Sequence, residues 1–214
     1  MKPSVTIIDY GVGNILSITK AFEHCGANVV LTEDPQQIIK ADRLVLPGVG
    51  AFKDGMEGLR ERGLIESIKS FAEENRPLMG ICLGMQMMLE SSEEFGLHEG
   101  LFFVPGRVVA IPKTGVTGKP HKIPSIGWYK LDISSQQSGW GKTILEDVPV
   151  GAYVYFVHSY TALPVSDEHR LADYRYDGCI VSAVIRLGLL YGCQFHPEKS
   201  GEVGLTIIRN FLKI

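Results

Sequence analysis

Apolar positions along this chain follow two regimes. In the first half, short apolar runs alternate with segments of helical period. Val5–Asp9 (VTIID), Asn28–Thr32 (NVVLT), Arg43–Pro47 (RLVLP) and Pro77–Ile81 (PLMGI) read as buried strands. Ile15, Ile18, Phe22 and Cys25 recur at helical spacing between the first two, with Asn14 placed to cap that helix and Gly26 to stop it. A further helix is predicted over Leu64 to Glu74, and another begins after Cys82. In the second half, LFFVPGRVVAI, IGWYKLDI, AYVYFVHSY, LADYRY, CIVSAVI and LLYGCQF are strand-like, and GLTIIRNFLKI closes the chain as a helix. Residues 112–122 and 134–142 read as loops. The expected fold class is α/β, with a mainly parallel central sheet flanked by helices, a strand-rich second half and a single domain over residues 1–214.

Composition narrows the function classes. The 214 residues are 45% hydrophobic and 21% charged, enough for one sizeable core. A net charge of −3 gives no electrostatic reason to expect nucleic acid or an anionic membrane as partner. No apolar run approaches the length of a membrane span. The opening MKPSVTIIDYGVGN has too short an apolar stretch and too early an acid for a signal peptide, so a cytoplasmic protein is expected. The cysteines, Cys25, Cys82, Cys179 and Cys193, form no C-x-x-C pair, which argues against a zinc ribbon or thioredoxin motif; no metal or cofactor is expected. Gly11-Val12-Gly13 lacks the third glycine of a dinucleotide fingerprint, Leu16 standing in its place, and reads as a tight turn.

Three of the cysteines suit buried, inert thiols. Cys82 does not. Gly80-Ile81-Cys82-Leu83-Gly84 has the form of a nucleophile elbow, a strained strand-to-helix turn that projects its central side chain above the sheet edge. Bulky residues two positions to either side would clash, so both are small. The helix that follows favours a thiolate at its N-terminus, and the amide of Leu83 is placed to face an oxyanion. Pro47-Gly48-Val49-Gly50 follows another strand, where glycines let the backbone approach a ligand; the amide of Gly50 or Val49 is the candidate second donor.

A thiol nucleophile needs a base. His24, His98, His121 and His169 have no distinctive neighbours, and His158, in YFVHSY, reads as a core or pocket histidine. His196 ends a strand-like run and precedes Pro197, which biases it toward extended backbone. Residues i and i+2 then share a face, so Glu198 can fix the imidazole tautomer and stabilise its protonated form. The expected triad is Cys82, His196 and Glu198.

With GICLGMQ, PGVGAF, YFVHSY and QFHPEKSG in this order, the chain resembles the class I (triad) glutamine amidotransferases over nearly its whole length. IIDYGVGN and FHPEKSGEVGL are most similar to the glutaminase subunits of imidazole glycerol phosphate synthases. The resemblance implies that family's fold and hydrolysis of glutamine by Cys82, His196 and Glu198, with Leu83 and Gly50 as oxyanion donors. It implies that Gln86 and Glu94 grip the amino-acid end of glutamine, and that His158, Ser159 and Tyr160 line the opposite wall. It also implies a (β/α)8-barrel cyclase partner that consumes the ammonia, with Trp128, Tyr155 and Lys199 at the junction. On their own, Trp128 and Tyr155 read as core aromatics and Lys199 as a solvated charge. One departure concerns the partner. Where the family usually carries Pro-His-x-Gly-Trp-Asn, this chain has Ser125 for the histidine and Tyr129 for the asparagine. A glutaminase subunit of a sugar amidotransferase is therefore an alternative. A cysteine hydrolase of similar fold is a weaker one, because such proteins often carry histidine where Leu83 stands. A closed Gly48-Val49-Gly50 loop is expected to leave the lone chain nearly inactive.

Overall fold

The computed structural model describes residues 2–214. Its first part alternates strand and helix: β1 (Ser4–Ile8), α1 (Ile15–His24), β2 (Asn28–Thr32), α2 (Pro35–Ile39), β3 (Leu44–Leu46), α3 (Phe52–Glu61), α4 (Ile65–Glu73), β4 (Leu78–Ile81) and α5 (Leu83–Met87). Two of these helices, α2 and α3, the sequence pattern did not predict. Its second part is strand-rich: β5 (Leu89–Ser92), β6 (His98–Glu99), β7 (Val104–Ala110), β8 (Ser125–Lys130), β9 (Asp132–Ile133), β10 (Tyr153–His158), β11 (Tyr160–Pro164), β12 (Arg170–Tyr176), β13 (Cys179–Leu187) and β14 (Leu190–Cys193), closed by α6 (Gly201–Lys213).

The central sheet has eight strands in the order β2-β1-β3-β4-β14-β13-β12-β9. From β2 to β14 the neighbours are parallel; from β14 to β9 they are antiparallel. Alternate residues feed opposite faces. Val5, Ile7, Val45, Met79 and Ile81 enter one apolar cluster with residues of α1 and α6. Ile8, Leu44, Leu46 and Leu78 enter the other with residues of α3, α4 and α5. Burial on both faces is why these strands read as continuous apolar runs. A ribbon of β8 and β10 and a small sheet, β11-β7-β5-β6, complete the second half.

The long-range arrangement that matters most is the pairing of β4 with β14, with Ile81 opposite Cys193. Cys82 follows the first strand and His196 follows the second, so both groups leave the same end of the sheet about 5 Å of strand spacing apart.

Several elements depart from the pattern. The helix after Cys82 stops at Met87, because Leu89 already belongs to β5. AYVYFVHSY divides at Ser159 into β10 and β11. The short α2 had a usable signal in Asp34 as cap and Pro35 at the first turn. The start of α3 has no side-chain cap from its own cap residue Ala51; Glu94 Oε2 instead accepts from Phe52 N at 2.7 Å. Of the three cysteines expected to be buried, Cys193 is, whereas Cys25 and Cys179 are partly exposed.

The elbow glycines are tight. A Cβ on Gly80 would lie 2.7 Å from the carbonyl of Gly84, and one on Gly84 would lie 1.8 Å from Leu46 O. The backbone atoms that block these positions cannot swing aside as a side chain can. Gly84→Ala is therefore expected to destabilise the protein by about 3 kcal/mol or more, read as a lowered midpoint in urea unfolding; a midpoint within error of the parent would show that α5 can move off β3.

Candidate active site

Cys82 sits at φ 54°, ψ −109°, a conformation that costs a non-glycine residue about 1–3 kcal/mol. Its N–H donates to Cys193 O at 2.7 Å, which fastens the strained residue to β14. His196 is extended at φ −99°, ψ 99°, as the following proline favours, and Nδ1 lies 2.8 Å from Glu198 Oε1. A carboxylate only accepts, so Nδ1 carries a proton and Nε2 is left for Cys82. The His196 and Glu198 side chains are 2% and 1% exposed. Among the described residues, Nε2 of His196 and Oε2 of Glu198 have no hydrogen-bond partner of good geometry. Burial works against a charged imidazole here, but Cys82 and Glu198 on its two sides outweigh it and raise His196 to about 9. The ring is thus held as an imidazolium at neutral pH.

Main-chain contacts lock the histidine in place. His196 N donates to Tyr155 O at 3.0 Å, Ser200 Oγ donates to His196 O at 2.7 Å, and Tyr155 N donates to Ser200 Oγ at 3.0 Å.

A cavity of about 280 Å³ opens above Cys82 and His196. Every residue singled out from the sequence for the oxyanion hole or the substrate pocket lines it: Val49, Gly50 and Leu83; Gln86 and Glu94; His158, Ser159 and Tyr160. Gln86 Nε2 donates to Tyr160 O and to Gln194 Oε1, each at 3.1 Å, which leaves Gln86 Oε1 as its free acceptor. Glu94 uses one oxygen on the start of α3. His158 Nδ1 donates to Tyr160 O at 2.7 Å, so its Nε2 accepts from Tyr174 Oη, also 2.7 Å away. Burial, with a further push from His196, lowers the His158 imidazole to about 4 and keeps it neutral.

The Leu83 amide, read from sequence as an oxyanion donor, is occupied: it donates to Gly48 O at 3.3 Å. A Cβ on Gly48 would come within 2.9 Å of the Leu83 Cβ, so glycine permits this approach. Tyr10 Oη anchors the same loop by donating to Pro47 O at 2.6 Å.

Trp128, Tyr155 and Lys199 do not line the cavity; Trp128 and Tyr155 are cross-strand partners in β8 and β10, with ring centroids 5.9 Å apart. Trp128 is 51% exposed, and so is not the core aromatic that it reads as in isolation. Lys199 is exposed in the turn that carries Glu198. Sequence reasoning passed over Gln194, which is fully buried and reaches Cys82 Sγ with its Nε2 at 3.8 Å. The period-2 rule that paired His196 with Glu198 also puts Gln194 on their face. It passed over Tyr10, Tyr174 and Ser200 too, whose contacts bridge distant strands and leave no local signal.

A strained cysteine between glycines, a buried histidine and carboxylate beside it and a pocket above them fit a glutamine amidotransferase. The chain matches the family Glutamine amidotransferase class-I over residues 6–214, and it belongs to that family. It is 57% identical over 211 residues to the imidazole glycerol phosphate synthase subunit HisH 1 of Legionella pneumophila, a match that covers 99% of both chains. It is 44% identical over 210 residues to the imidazole glycerol phosphate synthase subunit HisH of Geobacillus kaustophilus, covering 98% of this chain and 96% of that one. The solved structure of PurLQS from Thermotoga maritima superposes with a TM-score of 0.71 at 19% identity, covering 100% of this chain and 99% of its counterpart, a likeness of fold.

The electrostatics of His196 generate a test. The imidazolium is the acid form, so a step that needs its proton fails as pH rises through about 9. Glu198→Gln removes one of the two groups that raise it. The alkaline limb of kcat/KM for glutamine should lie near pH 9 in the parent and move to lower pH in Glu198→Gln. A limb that stays in place in the variant would show that Glu198 does not act on the titrating group.

Proposed function

We propose that this chain is the glutaminase subunit of an imidazole glycerol phosphate synthase, acting as a single domain in the cytoplasm in histidine biosynthesis. The observation that carries the catalytic part is the buried His196–Glu198 pair beside a strained Cys82 at the base of a cavity. Identity of 57% over 99% of both chains supports the choice of synthase.

In the first step the Cys82 thiolate attacks the carboxamide carbon of glutamine, forming an S–C bond and placing negative charge on the carbonyl oxygen. Collapse of this intermediate breaks the C–N bond, and the imidazolium of His196 gives its Nε2 proton to the leaving amine, which departs as ammonia. Neutral His196 then takes a proton from water as the water attacks the γ-glutamyl thioester. Glutamate leaves and the thiolate–imidazolium pair is restored. Glu198 holds the ring throughout. Gln86 Oε1 and the second oxygen of Glu94 are the acceptors available for the substrate ammonium.

The oxyanion needs the Leu83 amide, which now faces Gly48 O. At 3.3 Å this is a long bond, readily exchanged when the Gly48-Val49-Gly50 loop turns. We assign that turn to docking of a barrel-shaped cyclase on the face that carries Trp128, Tyr155 and Lys199. Free ammonia would protonate in water and lose its nucleophilicity, so a sheltered passage to the cyclase is the physical reason for a stable complex.

The departures that suggested a sugar amidotransferase lie inward. Ser125 is fully buried and bonded to Tyr174 Oη at 3.2 Å, and the Tyr129 ring packs 5.1 Å from that of Tyr174. Neither changes the exposed face of Trp128, which favours the cyclase.

The test is glutamate release from glutamine by the purified chain, alone and with the barrel cyclase of the same organism and its nucleotide substrate. A low rate alone, a rise of about 100-fold or more with both, and loss of both activities in Cys82→Ala are expected. A rate that is equal with and without the cyclase would refute the gated site. No rise with the cyclase, but a rise with a sugar amidotransferase synthetase subunit, would transfer the chain to that alternative.

A further inference from the structure

Gln194 lies between β14 and His196, with its side chain fully buried. Its two side-chain partners both belong to the site: Gln86 Nε2 donates to Gln194 Oε1 at 3.1 Å, and Gln194 Nε2 donates to Cys82 Sγ at 3.8 Å. A buried amide can be turned either way until its partners are considered. Here one main-chain carbonyl decides the matter. Tyr160 O can only accept, so Gln86 must present nitrogen to it. The second hydrogen of that nitrogen requires an oxygen, which must be Gln194 Oε1. Gln194 is left with its NH2 facing the sulfur. Reversing Gln194 would set two NH2 groups against each other and leave Cys82 Sγ facing a carbonyl oxygen.

His196 Nε2 feels the sulfur, which helps to raise its pKa, but among the described residues it makes no hydrogen bond of good geometry in the resting site. Among the described residues, the donor that meets the sulfur with good geometry is Gln194, at 3.8 Å. Its backbone is fixed as well, since Gln194 N donates to Ala183 O on β13 at 2.9 Å. The donor is therefore set in place before substrate arrives.

We propose that Gln194 is a catalytic residue whose side-chain amide donates to the sulfur of Cys82, holding the thiolate in its attacking rotamer and stabilising its charge. His196 is then free to keep its Nε2 proton for the leaving amine. A donor on an ionised acceptor is worth more than one on a neutral group, so the contact strengthens as the thiol ionises. The assignment rests on the glutaminase reading for its place in turnover, but the contact with the sulfur can be tested without glutamine.

Two variants separate this role from packing. Gln194→Met keeps the length of the side chain and removes the donor. Gln194→Glu keeps the shape and the acceptor for Gln86, replaces the donor with a carboxylate at pH 8, and remains usable where the methionine variant fails to fold. Iodoacetamide forms an S–C bond with the thiolate and releases iodide. Its rate at Cys82 is followed by mass spectrometry of the peptide containing Cys82, because Cys25 and Cys179 are also accessible. Each folded variant should be alkylated about 10- to 100-fold more slowly at pH 8, with the pH profile of alkylation moved to higher pH. In the complex with the cyclase, kcat should fall in parallel, while in Gln194→Glu, which keeps the acceptor for Gln86, KM for glutamine stays within about threefold. Alkylation within about twofold of the parent in a folded variant would overturn the proposal, as would a change confined to KM. If the parent chain releases no glutamate from glutamine, the glutaminase reading fails, and alkylation still decides the contact between Gln194 and Cys82.

Discussion

The pairing of β4 with β14 is the constraint on which the site depends. Ile81 lies opposite Cys193, and the next residue, Cys82, is tied to Cys193 O by its own N–H. That bond holds a non-glycine residue at positive φ, and the absence of side chains at Gly80 and Gly84 gives the turn its room. Nucleophile and histidine are thereby delivered by two adjacent parallel strands, each rigid and buried on both faces. A loop could not fix their separation so closely, because its backbone would have more ways to relax.

Around that pairing the structure arranges charge among buried side chains. Two histidines stand near Cys82 in opposite states, and burial acts the same way on both. His158 has no carboxylate, so burial prevails and the ring is neutral. His196 has Glu198 on one side and Cys82 on the other, and there burial is overcome. The neutral ring serves as a fixed hydrogen-bonding element in the chain Ser125, Tyr174, His158, Tyr160 O, while the charged ring holds a transferable proton. The different environments give the same side chain two different jobs.

Much of this was legible in the sequence. The elbow is local: two glycines flank a cysteine where strand becomes helix. The His196–Glu198 contact is also local, set by extended backbone before Pro197. The pocket residues were found through resemblance to a family, and the cavity indeed gathers them. What escaped has a common physical form. The start of α3 is capped by Glu94 from β-rich chain 42 residues further on, and Tyr174 reaches Ser125 across 49 residues. Such contacts are made by tertiary packing and have no period. Gln194 differs, because alternation placed it on the face of His196; it was missed since an amide has no titratable signature to attract notice. The Leu83 amide taught the opposite lesson. Its position in the elbow was correctly read, but its present partner, Gly48 O, depends on the conformation of a distant loop.

The exposed ribbon and His196 are parts of one hydrogen-bonded unit. Tyr155 pairs with Trp128 on the exposed ribbon, and its peptide groups hold His196 on both sides, directly through its carbonyl and through Ser200 by its amide. A force applied to the Trp128 face is therefore applied to β10, whose peptide groups hold the base. The Gly48–Leu83 bond, by contrast, is a long contact made by glycine-rich backbone, with its loop exposed at Val49 and Gly50. The structure so divides the site into a stiff half, which holds His196 in register, and a yielding half, which holds the Leu83 amide. The glycine loop can therefore turn and free the Leu83 amide while the histidine stays held, because the Gly48–Leu83 bond shares no residue with the bonds that hold His196.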